Sequence, residues 1–167
     1  MKFDYLNLPE LPKEERKLVG FMVNGVSYGL HIMSVKEVIN PAKMTNVPDM
    51  PPYVVGVLDH RHGVVPVIDL RIRFGLEQRA QDRRTKWIIA KLEETAVGLV
   101  VDRVTDVLNL DPSKKRDNLK ISKEGEPWIK EIYQKDGGGL IFEINLAALI
   151  DAEHLQVERF GERETGL

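Results

Sequence analysis

From Leu18 onward the chain sets short apolar runs between turn residues, a rhythm that predicts strands. Lys17 to Val23 is apolar and stops at Asn24-Gly25, a dipeptide suited to the two positive-φ positions of a tight hairpin, and Val26 to Ile32 reads as the return strand. Ser34-Val35-Lys36-Glu37 has the Ser-x-x-Glu form of a capping box and predicts one or two helical turns ending at Asn40-Pro41. Lys43 to Val47 is a short extended stretch, and Pro48, Pro51 and Pro52 keep the following segment irregular. Val54 to Arg61 and Val64 to Leu70 read as strands, the second so rich in β-branched residues that both its faces are expected to be buried. Arg71 to Arg84 is polar and reads as a surface connection. Trp87 to Leu92, Val97 to Val101 and Val104 to Leu110 continue the strand pattern, and Asp111 to Glu126 is a charged loop. Trp128 to Tyr133 and Leu140 to Ile144 frame the glycine-rich hairpin tip Lys135 to Gly139. Asn145 can cap a last helix whose Leu146, Leu149 and Ile150 share one face and which can run on past Asp151.

About ten short strands at such spacing predict an all-β fold, a sandwich or small barrels and not βαβ units. A faint echo between Gly56-Val57-Leu58-Asp59-His60-Arg61 and Gly98-Leu99-Val100-Val101-Asp102-Arg103 suggests two related barrels. The 167 residues suffice for one domain or two small joined subdomains. Residues 1–17, polar and punctuated by Pro9 and Pro12, are expected to be a flexible tail, and residues 151–167 a helical C-terminal extension.

Composition narrows the function more than the fold. The chain is 43% hydrophobic and 30% charged, with a net charge of −2, so no basic face is expected to attract nucleic acid. It has no cysteine, which excludes disulfides, cysteine metal sites and a thiol nucleophile. No signal peptide or run of apolar residues long enough for membrane insertion is visible, so the cytoplasm is the expected location. Asp59-His60-Arg61-His62 is the most conspicuous polar segment. On a strand its two histidines share a face and can chelate a divalent metal, yet no third ligand lies at a recognisable spacing, and two strand-end histidines beside Gly63 are the plainer reading. Asp69, set in an apolar run, is expected to be paired with Arg71, Arg73 or a backbone amide; of the carboxylate pairs Glu93-Glu94 and Asp102/Asp106, most members are expected to be solvated turn or edge groups. No nucleophile elbow or phosphate-cradling loop is present, so nothing supports an enzyme.

Several ordered motifs together resemble the CheW family of bacterial chemosensory adaptors. Val54 to Arg71, with Gly56-Val57-Leu58-Asp59-His60-Arg61 and Pro66-Val67-Ile68-Asp69-Leu70-Arg71, resembles the signature G-V-x-N-L-R-G-x-x-x-P-V-I-D-L-R. Tyr28-Gly29-Leu30-His31-Ile32, Val35-Lys36-Glu37-Val38-Ile39 and Val97-Gly98-Leu99-Val100-Val101-Asp102 fit the family's other runs, and the likeness extends from about residue 18 to 150. The resemblance implies two intertwined five-stranded SH3-like β-barrel subdomains over 18–150, with short helices, no catalytic activity and no cofactor. It implies an adaptor that joins a CheA-type histidine kinase to the cytoplasmic tips of chemoreceptors, in membrane-associated arrays, for chemotaxis or for another chemosensory pathway. By position, Arg61 is the receptor-facing signature arginine, with pairing to Asp59 as the structural alternative, and Glu37 is the loop glutamate, with capping of Ser34 as its alternative. Val38, Ile39 and Ile88 face either the receptor or the core, and the kinase surface is expected at the first barrel's hairpin and the Met44–Val47 stretch, with Met44 and Val47 as its contacts. The chain departs from the signature at His60 and His62, with the glycine displaced to Gly63, which implies a shifted turn or strain at His62. A metal-dependent enzyme using His60 and His62 is the remaining alternative.

Overall fold

A computed structural model describes residues 17–61, 63–116, 128–150 and 155. Within them the chain forms β1 (Lys17–Val23), β2 (Val26–His31), β3 (Val35–Ile39), β4 (Val54–His60), β5 (Gly63–Asp69), α1 (Leu70–Arg73), β6 (Lys86–Leu92), β7 (Thr95–Val101), β8 (Arg103–Asn109), β9 (Ile129–Gln134), β10 (Leu140–Ile144) and α2 (Leu146–Leu149). The strands make two five-stranded sheets, ordered β8-β1-β2-β10-β9 and β3-β6-β7-β5-β4. Residues 1–16 of the expected tail, the loop after Arg116 up to Pro127 and the helical extension past Ile150 lie outside the described residues, apart from Leu155, whereas Lys17, expected to end the tail, is the first residue of β1.

The two sheets repeat one topology. In each, a central antiparallel hairpin (β1–β2, β6–β7) takes an antiparallel strand on one side (β8, β3) and a parallel strand on the other (β10, β5), which carries its own hairpin partner (β9, β4). Each half of the chain gives two strands to one sheet and three to the other, so the two units are intertwined by reciprocal exchange. The sequence bears the repeat out: β1–β3 and β6–β8 align without a gap, matching Val23 to Leu92, Gly29 to Gly98, Val35 to Val104, Glu37 to Asp106 and Asn40 to Asn109. The echo expected between Gly56 and Gly98 is not this repeat, because β4 and β7 belong to the same sheet.

Both sheets roll into barrel-like units. Thr45, beyond β3, bridges Val57 on β4, and Lys115, beyond β8, bridges Tyr133 on β9, so chain leaving one edge of each sheet meets the opposite edge. Three cores result. Val19, Phe21 and Val23 on β1 and Ile88, Ala90 and Leu92 on β6 meet in the large core between the units. Trp87 and Ile89, on the other face of β6, fill the second unit with Val65 and Val67. Leu18, Tyr133 and Ile141 fill the first. This alternation is the period-2 pattern of strands with both faces covered.

Local differences from the sequence expectation have clear causes. Ser34-Val35-Lys36-Glu37 does not open a helix: a 3-10 turn spans Ile32–Ser34, the His31 side chain caps it by accepting from the Met33 N–H, and the β-branched run that follows becomes β3. The polar stretch after Leu70 hides α1, capped by Asp69, whose carboxylate accepts from the Arg71 and Ile72 amides. That backbone partnership is one of those expected for Asp69. Asn145 caps α2 in the same way. Asn24 and Gly25 hold φ of 52° and 77°, as the hairpin requires.

Candidate functional site

The signature segment ends β4 and turns into β5 at the rim of the second unit. Gly63, paired with His60, takes φ of 99°, a conformation that the displaced glycine accommodates without strain. His62 lies outside the described residues. Opposite this turn stands β3. A register shift between Val35 and Glu37 marks a bulge that places Lys36 out of step. Bulges re-aim side chains, and Glu37 is directed across the gap to β4.

That gap is the seam of the second unit. β3 and β4 are the two edges of its sheet, and if flat the four strand spacings would hold them about 19 Å apart. Instead Glu37 Oε1 lies 3.0 Å from His60 Nε2, and Arg61 Nη2 donates to Glu37 Oε2. The Glu37 and His60 side chains are each 15% exposed, whereas that of Arg61 is 71% exposed. Burial pushes the Glu37 carboxyl up, but the Arg61 guanidinium and His60 outweigh it and hold it below the usual carboxylate range. Arginine offers five N–H donors in a fork suited to carboxylates. Arg61 is thus anchored at one corner and open to solvent over the rest.

The sequence-derived site residues separate into two groups. Glu37 and Arg61 meet directly, so Arg61 pairs with Glu37 and not with Asp59, and Glu37 pairs with Arg61 and His60 and not with Ser34. Val38 and Ile39 are half-buried, the first against the core between the units and the second against the core of its own unit. Ile88 is fully buried in the core between the units, the packing position of its two expected alternatives. Met44 is half-buried on the second core and leans on Gly56, where an added Cβ would lie 3.0 Å from Met44 Cβ. Val47 is half-buried nearby. The Met44–Val47 stretch therefore lies on the seam of the second unit, where Thr45 bridges Val57.

Two features escaped the sequence reading. His60 is a member of the cluster through Glu37, a contact between residues far apart in sequence that no spacing reveals. Asp102 is not a solvated edge group. It accepts two bonds from Arg71, at 2.9 and 2.7 Å, and one from the Asn24 amide at 2.8 Å. Burial pushes its carboxyl up, but Arg71, the Asn24 amide and Arg79 outweigh that and hold it low. Together with Arg73, which donates to the Leu149 carbonyl at 2.8 Å, this network ties the second unit to the first. Among the described residues no three His, Asp or Glu side chains gather as metal ligands, and no helix is long and apolar enough to cross a membrane.

Two rolled five-stranded sheets, one carrying an anchored, outward arginine on its seam, define a paired-barrel domain. The CheW-like domain model matches residues 17–154. The chain is 32% identical to the chemotaxis protein CheW of Bacillus subtilis over 145 residues, 86% of this chain and 92% of that protein. It is 31% identical to the chemotaxis protein CheW of Helicobacter pylori over 98 residues, 59% of each chain. Protein FrzA of Myxococcus xanthus is 30% identical over 93 residues, 55% of this chain and 58% of FrzA. The crystal structure of the scaffolding protein TtCheW from Thermoanaerobacter tengcongensis superposes with a TM-score of 0.75 at 28% identity, covering 84% of this chain and 95% of that one. The chain belongs to the CheW-like domain family.

Proposed function

We propose that this chemotaxis adaptor is a non-catalytic scaffold that holds chemoreceptor cytoplasmic tips to a CheA-type histidine kinase, in the cytoplasm beside membrane-bound receptor arrays. The observation that carries the reading is Arg61: charged, largely exposed and anchored by a carboxylate that is itself mostly shielded. An arginine so placed suits a partner carboxylate or carbonyl. We assign receptor contact to Arg61, supported by Glu37, with the half-buried Val38 and Ile39 that follow Glu37 on β3. Kinase contact is assigned to the Met44–Val47 stretch, which carries exposed Thr45 and Asn46 beside the half-buried Met44 and Val47. Signalling then works by occupancy: fixed geometry lets a receptor rearrangement bias the kinase, and modest contacts gain strength through repetition in an array.

The test is co-purification of wild type and Arg61→Glu with a receptor-tip fragment and a CheA homologue, with kinase activity as readout and circular dichroism as the fold control. Loss of receptor capture with the fold intact is expected; undiminished capture contradicts the assignment. The likeness to FrzA favours a second reading, the same adaptor serving a chemosensory pathway other than swimming. Neighbouring genes distinguish the two.

A further inference from the structure

Position 60 lies immediately before the exposed arginine, and its histidine does not point to solvent. His60 Nε2 meets Glu37 Oε1 at 3.0 Å, while Arg61 takes Glu37 Oε2. Each oxygen of one carboxylate thus has its own partner, and both partners come from the same strand end. The terminal torsion of a glutamate is broad when a single partner holds it. A second partner on the other oxygen fixes the carboxylate plane, and with it the direction in which Arg61 is anchored. The His60 and Glu37 side chains are equally shielded, at 15% exposure, so this contact is screened far less than the outer one. It also crosses the seam, so it links the arginine's orientation to closure of the barrel.

We propose that His60 is a positioning residue for the binding surface: it holds the Glu37 carboxylate in the plane that presents the Arg61 guanidinium already oriented. The inference rests on Arg61 as a partner contact. A long side chain that must be ordered on binding weakens association, and removing one such cost changes affinity by about fivefold to tenfold. The signature's leucine at this position fills space but donates no hydrogen bond.

The experiment compares His60→Leu, His60→Asn and His60→Gln in the full chain. The Gln amide reaches the place of Nε2 and can donate to Oε1; the Asn amide is too short. Without any partner, 13C NMR of the Glu37 carboxyl reports its titration, and binding of a receptor-tip fragment is measured in parallel with Arg61→Glu. Expected are an upward move of the Glu37 titration and a loss of affinity of about fivefold to tenfold in His60→Leu and His60→Asn; His60→Gln, which returns the hydrogen bond but not the imidazole's charge, restores the affinity and brings the titration back only in part. An unmoved Glu37 titration in His60→Asn overturns the proposal at its geometry. If Arg61→Glu abolishes binding while His60→Leu and His60→Asn bind like wild type, the positioning role fails and the arginine's role stands. If Arg61→Glu binds normally, both fall.

Discussion

The two units share a strand order and a means of closure, yet their seams are built from different chemistry. In the first, the Lys115–Tyr133 bridge is flanked by the Arg116 N–H bonded to the Ile132 carbonyl at 2.8 Å and by ion pairs of Lys115 with Glu131 and of Lys114 with Asp136. These pairs lie at the surface, where solvent and salt leave them little net effect. In the second, the Thr45–Val57 bridge is joined by a shielded carboxylate serving both His60 and Arg61. The repeat counterpart of Glu37 is Asp106, an exposed residue of β8. One scaffold thus holds a seam that only closes and a seam that also displays. The crossovers differ likewise: Met33, the counterpart of Asp102, is 75% exposed within a turn capped by His31, whereas Asp102 is staked by Arg71.

Substitutions in the core between the units test the symmetric part of this comparison and carry the largest expected effect. Ile88 and its counterpart Val19 are both fully buried there. Ile88→Ala is expected to cost about 2–5 kcal/mol in denaturant unfolding, as cavity-forming core changes do. A loss of receptor capture with unchanged stability would instead make Ile88 a contact residue.

Next comes the asymmetric crossover. Asp102→Asn removes the charge from a shielded, doubly bonded pair and is expected to cost about 2 kcal/mol. The sign in pH follows from its lowered carboxyl. A carboxylate held low when folded stabilises above its unfolded value, near about 3.9, and loses that contribution as pH falls through the folded value. Wild type should therefore lose more stability than Asp102→Asn on acidification from neutral pH toward that range. Parallel curves for the two proteins would remove Asp102 from the account.

The smallest effect belongs to the first seam. Lys115→Ala, breaking the pair with Glu131, is expected to change stability by no more than about 0.5 kcal/mol. A loss comparable with that in Asp102→Asn would show that the first seam is latched as firmly as the second.

How far the sequence revealed this structure depends on the distance over which each feature is determined. The Asn24-Gly25 hairpin, the apolar strands and the cap at Asn145 are local, and each was legible from its own few residues. The segment Ser34 to Glu37 misled because a capping pattern and a β-branched strand overlap there, and pairing with β6 decided for the strand. Four-residue α1 is too short to display a helical period. The repeat was visible in principle from Gly29 against Gly98, but exchange of strands between units made the nearer echo at Gly56 the more noticeable one. Ile88 was ambiguous because β6 is covered on both faces, so alternation carries no sign of an exposed side. The contact between Glu37 and His60 depends on rolling of the whole sheet, and no local pattern encodes it.

The central claim is that Arg61 is a display residue and not merely half of a latch. The most direct measurement is receptor-tip binding by the charge swap Glu37→Arg/Arg61→Glu, beside Arg61→Glu alone, with thermal melting of both. The account predicts that the swap recovers stability lost in Arg61→Glu while binding stays lost, because the seam again has opposite charges but the partner meets a carboxylate where it needs a guanidinium. Recovery of binding in the swap would show that only closure of the seam matters and would contradict the claim.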